Sequence, residues 1–165
     1  MLSECTMASP VGELTLVASA QGLRAVLWAE ERAGRVPLSD RRNDPANAIL
    51  TEAVRQLTDY FEGKRRDFDL PLDPVGTDFQ KSVWTGLNAI PYGETRSYAA
   101  LAEAIGRPGA SRAVGAANGR NPLSIVTPCH RVIGANGTLT GFAGGLAVKQ
   151  WLLAHERGEP ALALA

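Results

Sequence analysis

Ser97-Tyr98-Ala99-Ala100-Leu101-Ala102-Glu103-Ala104-Ile105-Gly106-Arg107-Pro108-Gly109-Ala110-Ser111-Arg112-Ala113-Val114-Gly115-Ala116-Ala117-Asn118 is the stretch whose reading decides the fold. Ser97 is placed to cap a helix with Leu101, Ala102 and Ile105 on one face, and Gly106-Arg107-Pro108-Gly109 ends that helix. A second short helix is predicted over about 110–118. Helix, tight glycine-containing turn, helix is the helix-turn-helix pattern. The second helix is built from small residues, with Arg112 its one long side chain. Gly115 costs about 1 kcal/mol relative to alanine inside a helix. Such a cost is accepted where something lies close. Tight packing on another helix and close approach to a nucleic-acid groove account for the composition equally well.

Working outward from this stretch, Thr77-Asp78-Phe79-Gln80 is a capping box, opening a helix with Phe79, Val83, Trp84 and Leu87 that stops at Pro91. Tyr92-Gly93-Glu94-Thr95 is a turn. Further upstream, Pro10-Val11-Gly12 joins strands at 6–9 and 13–18 into a hairpin, and a third strand is predicted at 23–28. Residues 32–44 read as a loop, Asp44-Pro45 as the start of a helix that Gly63 closes, and Phe68, Leu70 and Leu72 as a short alternating strand. Downstream, Pro122-Leu123-Ser124-Ile125-Val126-Thr127-Pro128 reads as a buried strand-like run. Phe142-Ala143-Gly144-Gly145 is a loop, and the last helix holds Val148, Trp151, Leu152 and His155. The expected fold is α+β: an N-terminal α+β domain at 1–75, a mostly helical domain at 76–158, and a tail at 159–165 whose last residues, from Pro160 on, fray.

The 165 residues carry no net charge, but the charge is unevenly placed. Residues 1–94 hold 10 Lys/Arg and 14 Asp/Glu, whereas 95–158 hold 7 and 2. A basic second half suits a phosphate-facing surface, although an uneven solvated surface gives the same count. No apolar run is long enough to cross a bilayer, and the N-terminus lacks a secretory pattern. Two cysteines, Cys5 and Cys129, make a disulfide framework improbable, so the expectation is a reduced, cytoplasmic protein.

Cys129 and His130 are neighbours. In an extended strand their side chains would point apart, so cooperation requires the backbone to turn there, and Pro128 favours a bend. An imidazole base beside a thiol raises its thiolate fraction. On the residues alone, an inert buried cysteine beside a core histidine is the favoured reading, because such cysteines are common.

Wider context bears on that choice. Pro128-Cys129-His130-Arg131-Val132 resembles the active-site signature of the O6-alkylguanine-DNA alkyltransferases. Tyr92-Gly93-Glu94, Ser97-Tyr98, Arg112-Ala113-Val114-Gly115, Asn121-Pro122, Gly144-Gly145-Leu146-Ala147-Val148-Lys149 and Leu153-Ala154-His155-Glu156 are similar to that family's blocks, in family order. So are Ser9-Pro10-Val11-Gly12 and Gly76-Thr77-Asp78-Phe79-Gln80, so the resemblance spans nearly the whole chain.

The resemblance implies a ribonuclease-H-like N-terminal domain and a winged-helix-like C-terminal one. The implied activity is irreversible, single-turnover transfer of an alkyl group from O6-alkylguanine in duplex DNA to Cys129, with O4-alkylthymine left open. It implies His130 as base, in family members through a water, Glu156 as the carboxylate orienting it, and Asn121 as a brace for the active-site turn. It implies Tyr98 as hydrogen-bond donor to the departing guanine, with the carbonyls of Cys129 and Val132, the wall of Phe142 and the amide of Ala143 around the base. Arg112 would fill the gap left by a flipped nucleotide, with Ser111, Ala113, Gly115, Ala116 and Asn118 on the DNA-facing helix. Phe142 departs from some members, the human one among them, that carry tyrosine. The resemblance further implies no cofactor and a monomer in solution, with room for cooperative assembly on DNA. Some relatives hold a structural zinc, but this N-terminal domain offers Cys5 and no histidine, so no metal is expected.

Three rival readings differ in class. Peroxidatic or hydrolytic thiol chemistry lacks a resolving cysteine and the usual distant histidine. A non-repairing lesion sensor would lack the reactive cysteine. A sequence-specific regulator would want long polar side chains on its second helix.

Overall fold

The computed structural model describes residues 1–160, so the fraying expected at the end of the chain lies, apart from Pro160, outside the described residues. The fold is α+β and divides into two units. The first contains Met1–Val75 and, from later in the chain, Pro122–Val126; the second contains Gly76–Asn121 and the chain from Thr127 onward.

In the first unit β1 (Leu2–Met7), β2 (Leu14–Ala18), β3 (Leu23–Leu27) and β4 (Arg41–Asn43) form one sheet in the order β3-β2-β1-β4. β1 and β2 are antiparallel with Cys5 opposite Leu16, and β4 lies parallel to β1. The first strand therefore lies earlier than the predicted 6–9, and Gly12 (φ 102°) completes the hairpin turn. α1 (Ala48–Phe61) starts three residues after Pro45 because Asn47 is the cap: its side chain accepts from the amides of Ile49 and Leu50. Asp44 is occupied elsewhere, its carboxylate accepting from Ser3 Oγ. The strand expected around Phe68 reduces to a single bridge between Leu72 and Leu23. Leu50, Leu57 and Tyr60 of α1 and Leu14, Leu16, Val17, Leu23, Ala25 and Val26 of the sheet have no exposed surface. Burying a Leu or Val side chain contributes about 1.5–3 kcal/mol, so this face makes the small sheet a stable body.

The run 122–128 is buried as expected, but it is a turn rather than a strand. Val26 donates its amide to Pro122 O and bridges Leu123, drawing this segment into the first unit. Ile125 takes φ 73°, a left-handed conformation that costs a β-branched residue on the order of 1–3 kcal/mol. Its side chain is 1% exposed, so burial offsets the strain.

The second unit contains α2 (Asp78–Asn88), β5 (Arg96–Ser97), α3 (Tyr98–Ala104), α4 (Ser111–Gly119), a single 3-10 turn at Cys129–Arg131, β6 (Val132–Ile133) and α5 (Leu146–Glu156). The capping box forms as read: Thr77 accepts from the Gln80 amide and Gln80 reaches back to the Thr77 amide. Gly76 is required beside it, because a Cβ there would lie 2.5 Å from the Trp84 ring. Ser97 caps α3 through the Ala100 amide. α2 and α3 pack closely at Gly86, where a Cβ would sit 2.7 Å from Ile105. Trp84 donates its indole N–H to Ala117 O (2.9 Å), fixing α4 against α2. β5 and β6 pair in parallel, Arg96 with Val132 and Ser97 with Ile133, which fixes the segment just after Cys129 beside the start of α3.

Candidate active site

The chemistry centres on the turn at Cys129. Cys129 N donates to Thr127 O (2.8 Å) and Arg131 N to Pro128 O (3.0 Å). A 3-10 turn advances about 120° per residue, so Cys129 and His130 are freed from the opposed arrangement of a strand. Asn121, fully buried, donates Nδ2 to Thr127 O (2.8 Å), pinning the chain just before the turn. Asn118 donates Nδ2 to Cys129 O at 3.5 Å. This corrects the placement of Asn118 on the DNA-facing surface: the helical period turns it inward with Val114 and Ala117.

His130 is fully buried, and its Nε2 lies 2.7 Å from Glu156 Oε2. Arg131 grips the same carboxylate twice, Nε to Oε1 at 2.7 Å and Nη2 to Oε2 at 3.1 Å. Its Nη1 donates to Ile90 O and its guanidinium lies over the Tyr92 ring. Burial alone pushes the Glu156 carboxyl up, but His130 and Arg131 outweigh it and hold it well below the usual carboxylate range. Burial pushes His130 below the ordinary imidazole value, and Glu156 recovers only part of that loss. The pair is therefore an ionised Glu156, balanced by Arg131, and a neutral imidazole that donates through Nε2. That tautomer leaves Nδ1 as an acceptor, buried and with no hydrogen-bond partner among the described residues. An unused buried acceptor costs on the order of 1–3 kcal/mol.

Lys149, not singled out in the sequence reading, is also fully buried. Its Nζ donates to Val132 O at 2.7 Å and to Thr140 O at 3.4 Å, and lies 6.0 Å from the Phe142 ring centre. Burial lowers its pKa, and negative charge on Cys129 opposes that shift. Only its spacing was legible: Lys149 and Glu156 are seven residues apart, two helical turns on one face.

Tyr98 is half-buried, with its hydroxyl 2.6 Å from Thr140 Oγ1. Phe142 is half-buried against the cluster that contains Cys129 and Val132, whereas Ala143 is exposed. On α4, Arg112, Ala113 and Ala116 are exposed, Ser111 is half-buried and Gly115 faces the Tyr98 ring. One face of α4, with Val114 and Ala117, packs on α2 and α3, as the first explanation of the small residues requires; the opposite face is open. Arg112 makes no ion pair or hydrogen bond among the described residues. Among those residues no group of three or more His, Cys, Asp or Glu side chains could hold a metal, and no helix is long and apolar enough to cross a membrane.

Fold and site together define a thiol protein built on a helix-turn-helix unit, with a small sheet unit preceding it in sequence. Two family descriptions match the chain: the 6-O-methylguanine DNA methyltransferase ribonuclease-like domain over residues 3–74 and the DNA binding domain of the same proteins over 78–158. A methylated-DNA–protein-cysteine methyltransferase of Methanosarcina acetivorans is 51% identical over 149 residues, covering 90% of this chain and 94% of the relative. One from Mycolicibacterium paratuberculosis is 49% identical, covering 95% and 93%. The crystal structure of Mycobacterium tuberculosis OGT in complex with DNA has a TM-score of 0.88 at 48% identity, covering 96% of each chain. The chain belongs to the 6-O-methylguanine DNA methyltransferase family.

Proposed function

We propose that this chain repairs DNA directly, moving the alkyl group from O6 of an alkylated guanine in duplex DNA onto Cys129 Sγ, once per molecule. The observation that carries this reading is the buried His130 beside Cys129, tied through Nε2 to an ionised Glu156 and left with an unpartnered Nδ1. His130 takes the thiol proton at Nδ1, directly or through one water, and Glu156 stabilises the imidazolium that forms. Sγ then attacks the alkyl carbon in line and the C–O6 bond breaks. Asn121 braces the turn. Tyr98 donates to the departing base, with help from the Ala143 amide, because a poor leaving group needs electrophilic assistance. The carbonyls of Cys129 and Val132 and the face of Phe142 complete the base pocket.

The alkyl carbon is out of reach inside a stacked duplex, so the nucleotide is flipped out. The open face of α4, with Ser111, Ala113, Gly115 and Ala116, allows a close minor-groove approach, and Arg112 occupies the vacated stack. The thioether product leaves Cys129 spent, and no neighbour in sequence offers a second thiol with which to exchange. The protein acts as a monomer in the cytoplasm, where the thiols of Cys5 and Cys129 stay reduced. A duplex containing O6-methylguanine labelled in the methyl group tests the reading. Label is expected on the peptide containing Cys129 and is lost in Cys129→Ser, which still binds the duplex. Label on Cys5, or none on the wild type, contradicts it.

A further inference from the structure

We infer that Thr140 is a positioning residue on the leaving-group side of the site: its hydroxyl donates into the Tyr98 oxygen and so commits the phenolic proton to the departing base. The inference rests on the alkyl-transfer reading above.

The geometry is specific. Tyr98 directly follows β5, which pairs with β6, and β6 begins three residues after Cys129. Its ring faces Gly115 of α4, where an added Cβ would lie 3.7 Å away, so the ring is held from that side. Thr140 Oγ1 is the hydroxyl's one hydrogen-bond partner among the described residues, at 2.6 Å. Thr140 is held in turn, because its carbonyl accepts from the buried Lys149 Nζ, which also holds Val132 O. A threonine has few χ1 choices, so a fixed backbone there fixes the direction of the hydroxyl. One buried cation on α5 thus sets both the carbonyl beside the thiol turn and the partner of the phenol.

Donor counting decides the direction. Each hydroxyl has one proton to give and can also accept. If Tyr98 donates to Thr140, its oxygen offers only lone pairs to a base that is gaining electron density, and the contact is repulsive. If Thr140 donates, Tyr98 keeps its proton for the base, and the chain of two hydrogen bonds polarises the phenol. In the reaction the S–C bond forms, the C–O6 bond breaks and its electron pair leaves with guanine. The base takes up one proton for the one that the thiol gave to His130, so thiol and alkylguanine become thioether and guanine.

The test compares Thr140→Val, which keeps the shape without the hydroxyl, with Thr140→Ser, which keeps the hydroxyl. Single-turnover transfer from O6-methylguanine duplex is expected to fall about tenfold in Thr140→Val, equivalent to about 1.4 kcal/mol, and to recover in Thr140→Ser. Alkylation of Cys129 by iodoacetamide, whose leaving group is a halide, should be unchanged in both. In a Tyr98→Phe background, Thr140→Val should cost nothing further. Wild-type transfer with an unaffected Thr140→Val overturns the role of Thr140 alone. So does a Thr140→Ser as slow as Thr140→Val, an equal fall in iodoacetamide reactivity, or additive losses with Tyr98→Phe. A wild type that takes up no methyl group overturns the alkyl-transfer reading and the role of Thr140 with it.

Discussion

His130 and Glu156 both have pKa values lowered in the folded chain, and the two shifts act in the same direction. Below about pH 6.5, the ordinary histidine value, the unfolded chain binds a proton that buried His130 resists, so stability falls as pH falls. The Glu156 contribution follows below about pH 4.5. Thermal midpoints measured from pH 8 to 4 should therefore begin to drop near pH 6.5, and His130→Gln should remove that first limb. A midpoint independent of pH until 4.5 would show His130 to be unshifted. Arg112 separates DNA handling from chemistry. Arg112→Ala should repair duplex at least several-fold more slowly yet react almost normally with free O6-benzylguanine, because only the duplex requires flipping. Equal losses on both substrates, at one salt concentration, would make Arg112 a structural residue. Cys129, His130 and Glu156 were legible because their motifs are contiguous. Arg131 and Lys149 stood in blocks quoted from the same sequence, but their burial was not legible. They were counted among the basic residues of a solvated half, but both are buried and engaged. Of the other basic residues over 95–158, Arg96 pairs with Glu94 and Arg157 with Glu159, so the positive excess is smaller than the count implies.

Elements differ in how far their periodicity shows. α2 and α3 were readable from Thr77 and Ser97 with the apolar spacing behind them, since a cap and a repeating face reinforce each other. The three-residue β4 and the two-residue β5 and β6 span too few residues to show alternation, and their pairing depends on partners distant in sequence. α1 was read three residues early because Asp44-Pro45 imitates a helix start, whereas Asn47 makes the cap bonds. α5 has the largest functional consequence. It delivers Lys149 and Glu156 from one face, while Trp151 stacks on His155, four residues on. Lys149→Met keeps most of the buried volume but removes the hydrogen bonds to Val132 O and Thr140 O. Transfer should slow by tenfold or more while α5 stays folded, measured by single-turnover kinetics beside circular dichroism. An unchanged rate would show that Lys149 only fills space.

At the scale of the whole molecule, the expected boundary near residue 75 reflects a single cut, whereas the chain revisits the first unit at Pro122–Val126. Sequence could not show this, because the apolar run is suited to either core and its pairing with Val26, through Pro122 O and Leu123, joins it to the first. The excursion ends at Thr127, two residues before Cys129, where Asn121 ties the chain down. The α+β class was legible, since the sheet unit and the helical unit each carry their own pattern. The central claim is that this protein is consumed by its reaction, and intact-protein mass measurement tests it most directly. Wild type is incubated with a several-fold excess of O6-methylguanine duplex. The account predicts one added methyl group per chain, located on Cys129, with guanine restored in an equal amount of DNA and no further repair. More than one equivalent of restored guanine, or a chain of unchanged mass after repair, would contradict it.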